Sequence, residues 1–379
     1  MHLQPRFLPL RVDPARVGDV RAAGSAVRRL GAQELETIPR RRTGAAFHGE
    51  VGEPMSSLTD VARTLVSNKR GILAADESIG TMSKRLESVD VEPTEENRRR
   101  YRELLLTTPE LSESVSGAIL ADETFRQVLS DGTTFPAALA GIGVLAGIKV
   151  DTGAKPLAGA PGETVTEGLD GLRERLDEYV AMGATFTKWR AVYSIGDGLP
   201  TDRTKRANAH ALARYAGLCQ EAGLVPIVEP EVVMDGDHSL EQCRQVTRAV
   251  LRSVFSELSL MEVQLDGIVL KPNMVVAGDG CSQKPTASEV ARATVETLRE
   301  TVPPAVPGIA FLSGGQDPQE ATDNLAAMKE LAPLPWELTY SFGRALVGPA
   351  LEAWRGSDDR WGAAQDALSE RAVANAAVR

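Results

Sequence analysis

Eight short apolar runs recur along the chain at intervals of 30 to 45 residues, and this repetition limits the possible folds more than any other feature. They are GILAAD (71–76), SGAIL (116–120), GIKVD (147–151), FTKWR (186–190), VPIVEPE (225–231), GIVLKPN (267–273), GIAFLSG (308–314) and LTYSFGR (338–344). Most have the length and the β-branched content of buried strands. Helical patterns separate them. Leu169, Leu172, Leu176, Tyr179 and Val180 keep three- and four-residue spacing, as do Leu240, Cys243, Val246, Val250 and Val254. Helix starts are marked by a capping box, Thr286 with Glu289, and by the cap residue Asp317 before Pro318. Strands alternating with helices predict an α/β fold with a parallel sheet. Eight such units predict a closed (β/α)8 TIM barrel, because an open sheet would leave edge strands unpaired.

In such a barrel the chemistry gathers at the C-terminal ends of the strands. Those ends carry Asp76 on the first run, Lys149 and Asp151 on the third, and Lys188 and Arg190 on the fourth. They carry Glu229 and Glu231 on the fifth, Lys271 on the sixth, Ser313 with Gly314 and Gly315 on the seventh, and Ser341 with Arg344 on the eighth. Strand side chains alternate, so Lys149 and Asp151 share a face, as do Lys188 with Arg190 and Glu229 with Glu231. A single charged strand end is ordinarily a solvated one. Seven of eight together are a different matter, because burying charges separately costs several kcal/mol each unless they pair or serve a substrate.

Crowded lysines repel one another, so one ammonium group is expected to lose its proton easily. A partly desolvated lysine among cations can attack a carbonyl and form a Schiff base. Lys271, at the end of a rigid strand that Pro272 stops, is the candidate. SGG after the seventh strand and FGR after the eighth suit phosphate binding by backbone N–H groups, with Arg344 adding bidentate contacts. The implied ligand is a phosphorylated carbonyl compound.

Other classes fit poorly. The net charge of −10 argues against a non-specific nucleic-acid binder, although local cations can still focus an anion into a cleft. No apolar run approaches the 18 residues of a membrane span. The four histidines, His2, His48, His210 and His238, form no metal-ligand spacing, and His238 in DGDH is expected to cap a turn. Cys219, Cys243 and Cys281 read as reduced thiols of a cytosol-like compartment. LSGGQ (312–316) spells the signature peptide of transporter ATPases, but the chain has no Gly-Lys dipeptide and hence no P-loop. GIGVLAG (141–147) does not match the dinucleotide fingerprint.

GILAADES, GIKVD, KWR, VPIVEPE, LKPNM, PPAV.GI.FLSGGQ and S.GRAL stand in one order. With them the chain resembles class I (Schiff-base) fructose-1,6-bisphosphate aldolases, from about Met55 to the C-terminal helix near Arg371. The resemblance implies a metal-free, cofactor-free glycolytic and gluconeogenic lyase that splits fructose 1,6-bisphosphate into dihydroxyacetone phosphate and glyceraldehyde 3-phosphate. It implies that Lys271 attacks the ketose carbonyl and that Glu229 is the acid–base for carbinolamine dehydration, its proton affinity set partly by Glu231. Asp76 handles the C4 hydroxyl proton, Lys188 supports charged intermediates, and Lys149 orients the carboxylates. Ser313, Gly314, Gly343 and Arg344 bind the C1 phosphate, and Ser78, Thr81, Lys84, Arg85 and Arg190 surround the other one. The expected partners are the sugar phosphate and three further copies of the chain in a homotetramer.

Two positions depart from the family pattern. Thr81 replaces a serine. The chain also stops at Arg379 without the tyrosine-ended tail of animal members, which leaves tail-assisted proton transfer at the enamine without its group. Competing readings are a Schiff-base aldolase for another ketose phosphate, such as sedoheptulose 1,7-bisphosphate, and a non-catalytic barrel scaffold. The scaffold would have no reason to retain both Lys271 and Glu229.

Residues 1–54 lie outside the resemblance. They hold nine arginines, no lysine and six acidic residues. The arginines are those of an organelle-targeting peptide, whereas the acids count against one. The segment is therefore read as a disordered extension or a mis-assigned start, ahead of a catalytic domain at 55–379. The expected compartment is the cytoplasm, with a plastid as the alternative if the segment is a transit peptide.

Overall fold

The computed structural model describes residues 57–67 and 69–378; the reading of 1–54 as an extension lies outside them. Ten strands occur in chain order: β1 (Gly71–Ala75), β2 (Val115–Leu120), β3 (Leu145–Lys149), β4 (Gly153–Pro156), β5 (Thr164–Glu167), β6 (Phe186–Tyr193), β7 (Val225–Val232), β8 (Val269–Leu270), β9 (Gly308–Phe311) and β10 (Glu337–Tyr340). Eight form one sheet in the order β1-β2-β3-β6-β7-β8-β9-β10, each pair parallel. The first and last meet where Ala74 N–H donates to the Phe342 carbonyl at 3.1 Å and the Thr339 hydroxyl to the Arg70 carbonyl at 2.7 Å. The eight predicted runs are thus the eight staves of a (β/α)8 barrel. The antiparallel hairpin β4–β5 was not legible as strands and sits in the connection between β3 and β6.

Alternation divides two cores. Inside the barrel, Ile72, Ala74, Ile119, Phe186, Val225, Ile227, Val269 and Ala310 pack with Ala62, Leu65 and Val66 of α1 (Leu58–Val66). Helix α1 begins at a Ser57–Asp60 capping box. The larger core lies between the outer faces of the strands and the surrounding helices. Glycine makes room inside: a Cβ on Gly147 would run into the Phe186 ring, and one on Gly117 would lie 2.7 Å from Leu65. The Phe186 ring therefore fills space that two neighbouring strands leave free, and close packing of this kind makes a filled core rather than a pore.

Some strands differ in length from the runs read in sequence. Strand β8 is only Val269–Leu270, because Gly267 closes a 3-10 turn (Leu265–Gly267) and Pro272 has no N–H for the ladder. Lys271 still belongs to the sheet edge, its N–H donating to the Val228 carbonyl at 2.8 Å. The capping box at Thr286 starts the helix Ala287–Thr301, and Asp317 with Pro318 starts Pro318–Lys329, as expected.

Candidate active site

Each inward strand position ends in a polar group. Asp76 lies two residues beyond Ala74, Lys188 two beyond Phe186, Glu229 two beyond Ile227 and Lys271 two beyond Val269, and all four of those apolar residues line the inner core. The polar groups border one cavity of about 680 Å³ with Lys149, Arg190, Glu231, Ser78, Thr81, Arg85, Ser313, Gly314, Gly343 and Arg344. Lys84 is the exception among the expected site residues: it is exposed and forms no part of the cavity wall. On α2 (Ile79–Glu87) the residues at 78, 81 and 85 follow one helical face, and position 84 falls off it.

The floor is a chain of alternating charges. Lys188 Nζ is 2.6 Å from Asp76 Oδ2 and 3.1 Å from Glu229 Oε2, and Lys271 Nζ is 3.1 Å from Glu229 Oε1. All four side chains are almost fully buried. Burial alone would push the Asp76 carboxyl up, but the ammonium groups of Lys188 and Lys271 outweigh it and hold it well below the usual carboxylate range. Glu229 is likewise lowered, burial opposing and Lys188, Lys271 and Arg190 prevailing. Burial would lower the Lys188 ammonium, yet Asp76, Glu229 and Asp151 raise it well above the ordinary lysine value. Lys188 is thus held in its charged form, because carboxylates stand between the crowded cations. Lys188 is a permanent positive charge, while Asp76 and Glu229 rest in their basic forms.

A second layer braces this floor. Asp151 accepts from Lys149 Nζ at 2.5 Å, from the Gly153 N–H at 3.1 Å and from the Arg190 N–H at 3.2 Å, while Arg190 Nε pairs with Glu231. Glu229 Oε2 faces Lys188 Nζ at 3.1 Å without hydrogen-bond geometry, so the contact there is one of charge.

The end of the cavity that carries SGG and FGR is made largely of backbone. Gly314 and Gly315 adopt φ of 58° and 96°, a left-handed pair that side chains with a Cβ rarely adopt. Consecutive turns of this kind can present N–H groups to an anion. Gln316 fixes the loop by donating through Nε2 to the Ser313 carbonyl at 2.8 Å, and Asn324 donates to Gln316 Oε1 at 2.7 Å. In LSGGQ, then, the glutamine is a loop brace. Gly343 caps the helix Arg344–Trp354 without any side-chain cap, so its positive end is free. A Cβ on Gly315 would lie 3.5 Å from Arg344 Nη2, which brings loop, helix end and guanidinium to one point.

After β1, Ser78 caps α2 and its hydroxyl is 3.0 Å from that of Thr81. Asp151 and Ser341, read in sequence only as strand ends, also line the cavity, and the buried Ser341 hydroxyl has no partner among the described residues. Glu77 was missed. Its signal was Arg102, a charged residue on the apolar face that Tyr101, Leu104 and Leu105 give to α3 (Glu95–Leu106), which needs a buried carboxylate partner. The His238 ring does not cap a turn as expected. It is buried without a hydrogen bond among the described residues, and the loop contact comes instead from the His238 carbonyl, which accepts from Gly278 N–H at 2.8 Å.

Fold and site together define a (β/α)8 barrel with a buried amine, carboxylates beside it, and a glycine loop, helix end and guanidinium converging at the same cavity. Residues 57–379 match the model of the family described as fructose-bisphosphate aldolase class-I. A Xanthomonas campestris protein described as a probable fructose-bisphosphate aldolase class 1 is 53% identical over 322 residues, covering 85% of this chain and 96% of that relative. Fructose-bisphosphate aldolase B of Gallus gallus is 51% identical over 325 residues, covering 85% of this chain and 89% of the relative. The structure of the Plasmodium falciparum fructose-bisphosphate aldolase, solved with TRAP and a small-molecule inhibitor, superposes with a TM-score of 0.83. It is 47% identical and covers 84% of this chain and 92% of that one. The chain belongs to the class-I fructose-bisphosphate aldolase family, and its reaction is the reversible aldol cleavage of fructose 1,6-bisphosphate.

Proposed function

We propose that cleavage runs through a Schiff base on Lys271, supported above all by the Glu229 carboxylate that stands 3.1 Å from its Nζ. Lys271 gives a proton to Glu229 and its lone pair attacks C2 of the ketose. Glu229 then protonates the carbinolamine hydroxyl, which leaves as water and creates a protonated imine. Asp76 removes the C4 hydroxyl proton. The C4–O bond becomes a carbonyl, and the C3–C4 electron pair moves into the iminium to give an enamine. Glyceraldehyde 3-phosphate departs; protonation at C3 and hydrolysis of the imine release dihydroxyacetone phosphate.

Lys188 acts as fixed positive charge between the two working carboxylates, in keeping with its raised proton affinity. Lys149 with Asp151 and Arg190 with Glu231 hold the second layer in place. The cradle at Ser313, Gly314, Gly343 and Arg344 takes the C1 phosphate, and Ser78, Thr81, Arg85 and Arg190 face the distal phosphate. The imine supplies the electron sink that a divalent metal supplies in other aldol cleavages, so the reaction is assigned as metal-independent. Among the described residues no group of three or more His, Cys, Asp or Glu is arranged to hold a metal ion.

The same reading carries three further assignments. The active species is a homotetramer, the compartment is the cytosol on the strength of three unpaired cysteines, and residues 1–54 are an appendage to a catalytic unit at 55–379. Among the described residues no helix is long and apolar enough to cross a membrane. Steady-state cleavage with excess EDTA tests the chemistry: turnover should persist, and Lys271→Met should abolish it while leaving the fold intact. Loss of activity with EDTA, or activity in the variant, would overturn the assignment.

A further inference from the structure

The cavity has a charged element that the cleavage chemistry does not use. Glu77 follows Asp76 directly, is nearly buried, and divides its two oxygens between two arginines: Oε2 accepts from Arg102 Nη2 at 2.6 Å, and Oε1 pairs with Arg85 Nη1. Arg102 is 2% exposed and comes from α3, outside the cavity wall; Arg85 is 27% exposed and lines the cavity with Glu77. A lone carboxylate beside a lone Arg85 would make a closed ion pair and cancel the charge that a phosphate needs. With Arg102 added, the trio keeps a net positive charge, and it is the buried arginine that takes one carboxylate oxygen for itself.

Helix α3 is well held for this purpose. The Tyr101 hydroxyl donates to the Val347 carbonyl at 2.6 Å, in the helix that begins at Arg344. The Arg102 guanidinium lies 5.8 Å from the Tyr101 ring centroid. Helix α3 therefore holds both Glu77 and the helix that begins at Arg344.

We propose that Arg102, acting through Glu77, is a positioning residue for the distal phosphate: by holding Glu77 Oε2 it limits Glu77 to one oxygen on Arg85 and so leaves the rest of the Arg85 guanidinium oriented and available to the substrate. This rests on the reading of Arg85 as a ligand of the distal phosphate. The prediction is selective. A substrate without that phosphate does not need Arg85, so its kinetics should not register the loss of Arg102.

The test compares KM and kcat for fructose 1,6-bisphosphate and fructose 1-phosphate in Arg102→Met, Arg102→Lys, the double variant Glu77→Gln/Arg102→Met, and Arg85→Met. Arg102→Met should raise the bisphosphate KM about ten- to a hundredfold, the range for losing one hydrogen bond to a charged group. Its kcat, and the KM for fructose 1-phosphate, should stay within about twofold of the parent. Arg102→Lys should recover part of the loss. The double variant should recover more, because the uncharged amide no longer holds Arg85. Equal loss on both substrates, or no recovery in the double variant, would overturn the proposal and leave Arg102 a structural residue. If Arg85→Met itself shows no selective loss, the ligand reading fails; if it does and Arg102→Met does not, only the positioning role fails.

Discussion

Lys188 is the joint of the buried charge chain, and replacing it with methionine has calculable consequences. In the parent protein Asp76 and Glu229 face Lys188 and Lys271, two negative charges against two positive. At an effective dielectric of about 20, a contact of 3.1 Å such as Lys188–Glu229 contributes about 5 kcal/mol before desolvation. Removing one member of such a buried set costs about 3–5 kcal/mol in net stability, because a carboxylate is left without compensation. At about 2 °C per kcal/mol for a chain of this size, the melting temperature near pH 7.5 should fall by about 6–10 °C.

The pH dependence identifies the cause. Asp76 and Glu229 are depressed in the folded parent, so their contribution is complete above the unfolded carboxylate range and disappears only as pH falls through the lower folded values. In Lys188→Met burial is no longer outweighed, so one carboxylate takes up a proton at a higher pH. The deficit relative to the parent should therefore be largest at pH 7–8 and shrink toward pH 5. Turnover should fall about 10²–10³-fold, the scale for losing a preorganised charge at the reacting atoms. Thermal unfolding at both pH values with a coupled cleavage assay measures these effects. A melting deficit that is the same at pH 5 and pH 7.5 would refute the charge-chain argument, as would unchanged turnover.

Arg344→Ala should raise the KM for fructose 1,6-bisphosphate about ten- to a hundredfold and weaken competitive inhibition by inorganic phosphate in parallel, since its guanidinium converges on the Gly315 loop. Lys84→Ala should leave KM and kcat within about twofold, because the side chain is exposed and outside the cavity; a tenfold change would restore it to the site. Gly147→Ala should lower stability by about 1–3 kcal/mol in a denaturant titration, since the added methyl meets the Phe186 ring at the inner core.

The barrel was legible because its signal is redundant. Eight strand-length runs at similar spacing remain readable even though the C-terminal ends of β3, β8, β9 and β10 fall two to four residues earlier than the runs. The lysines and carboxylates that line the cavity were legible for a related reason: a charged residue two positions beyond an inward apolar one has only the mouth to enter. What sequence could not give was who pairs with whom. The strand ends set Lys188 among crowded cations but did not reveal Asp76 and Glu229 on either side of it. Glu77 was hidden because its partner Arg102 lies 25 positions away on another helix. Lys84 was carried along by its neighbours in a contiguous motif, although one helical step turns it away from the cavity. The β4–β5 hairpin has little apolar alternation to reveal it, because most of its side chains are not buried.

Borohydride trapping with fructose 1,6-bisphosphate in the presence of EDTA, followed by peptide mass mapping, tests the central claim most directly. A reduced adduct confined to the peptide carrying Lys271, and lost in Lys271→Met, is the predicted result. A folded, active protein that gives no adduct, or one that is modified at Lys188 or Lys149 instead, would contradict the assignment of Lys271 as the nucleophile.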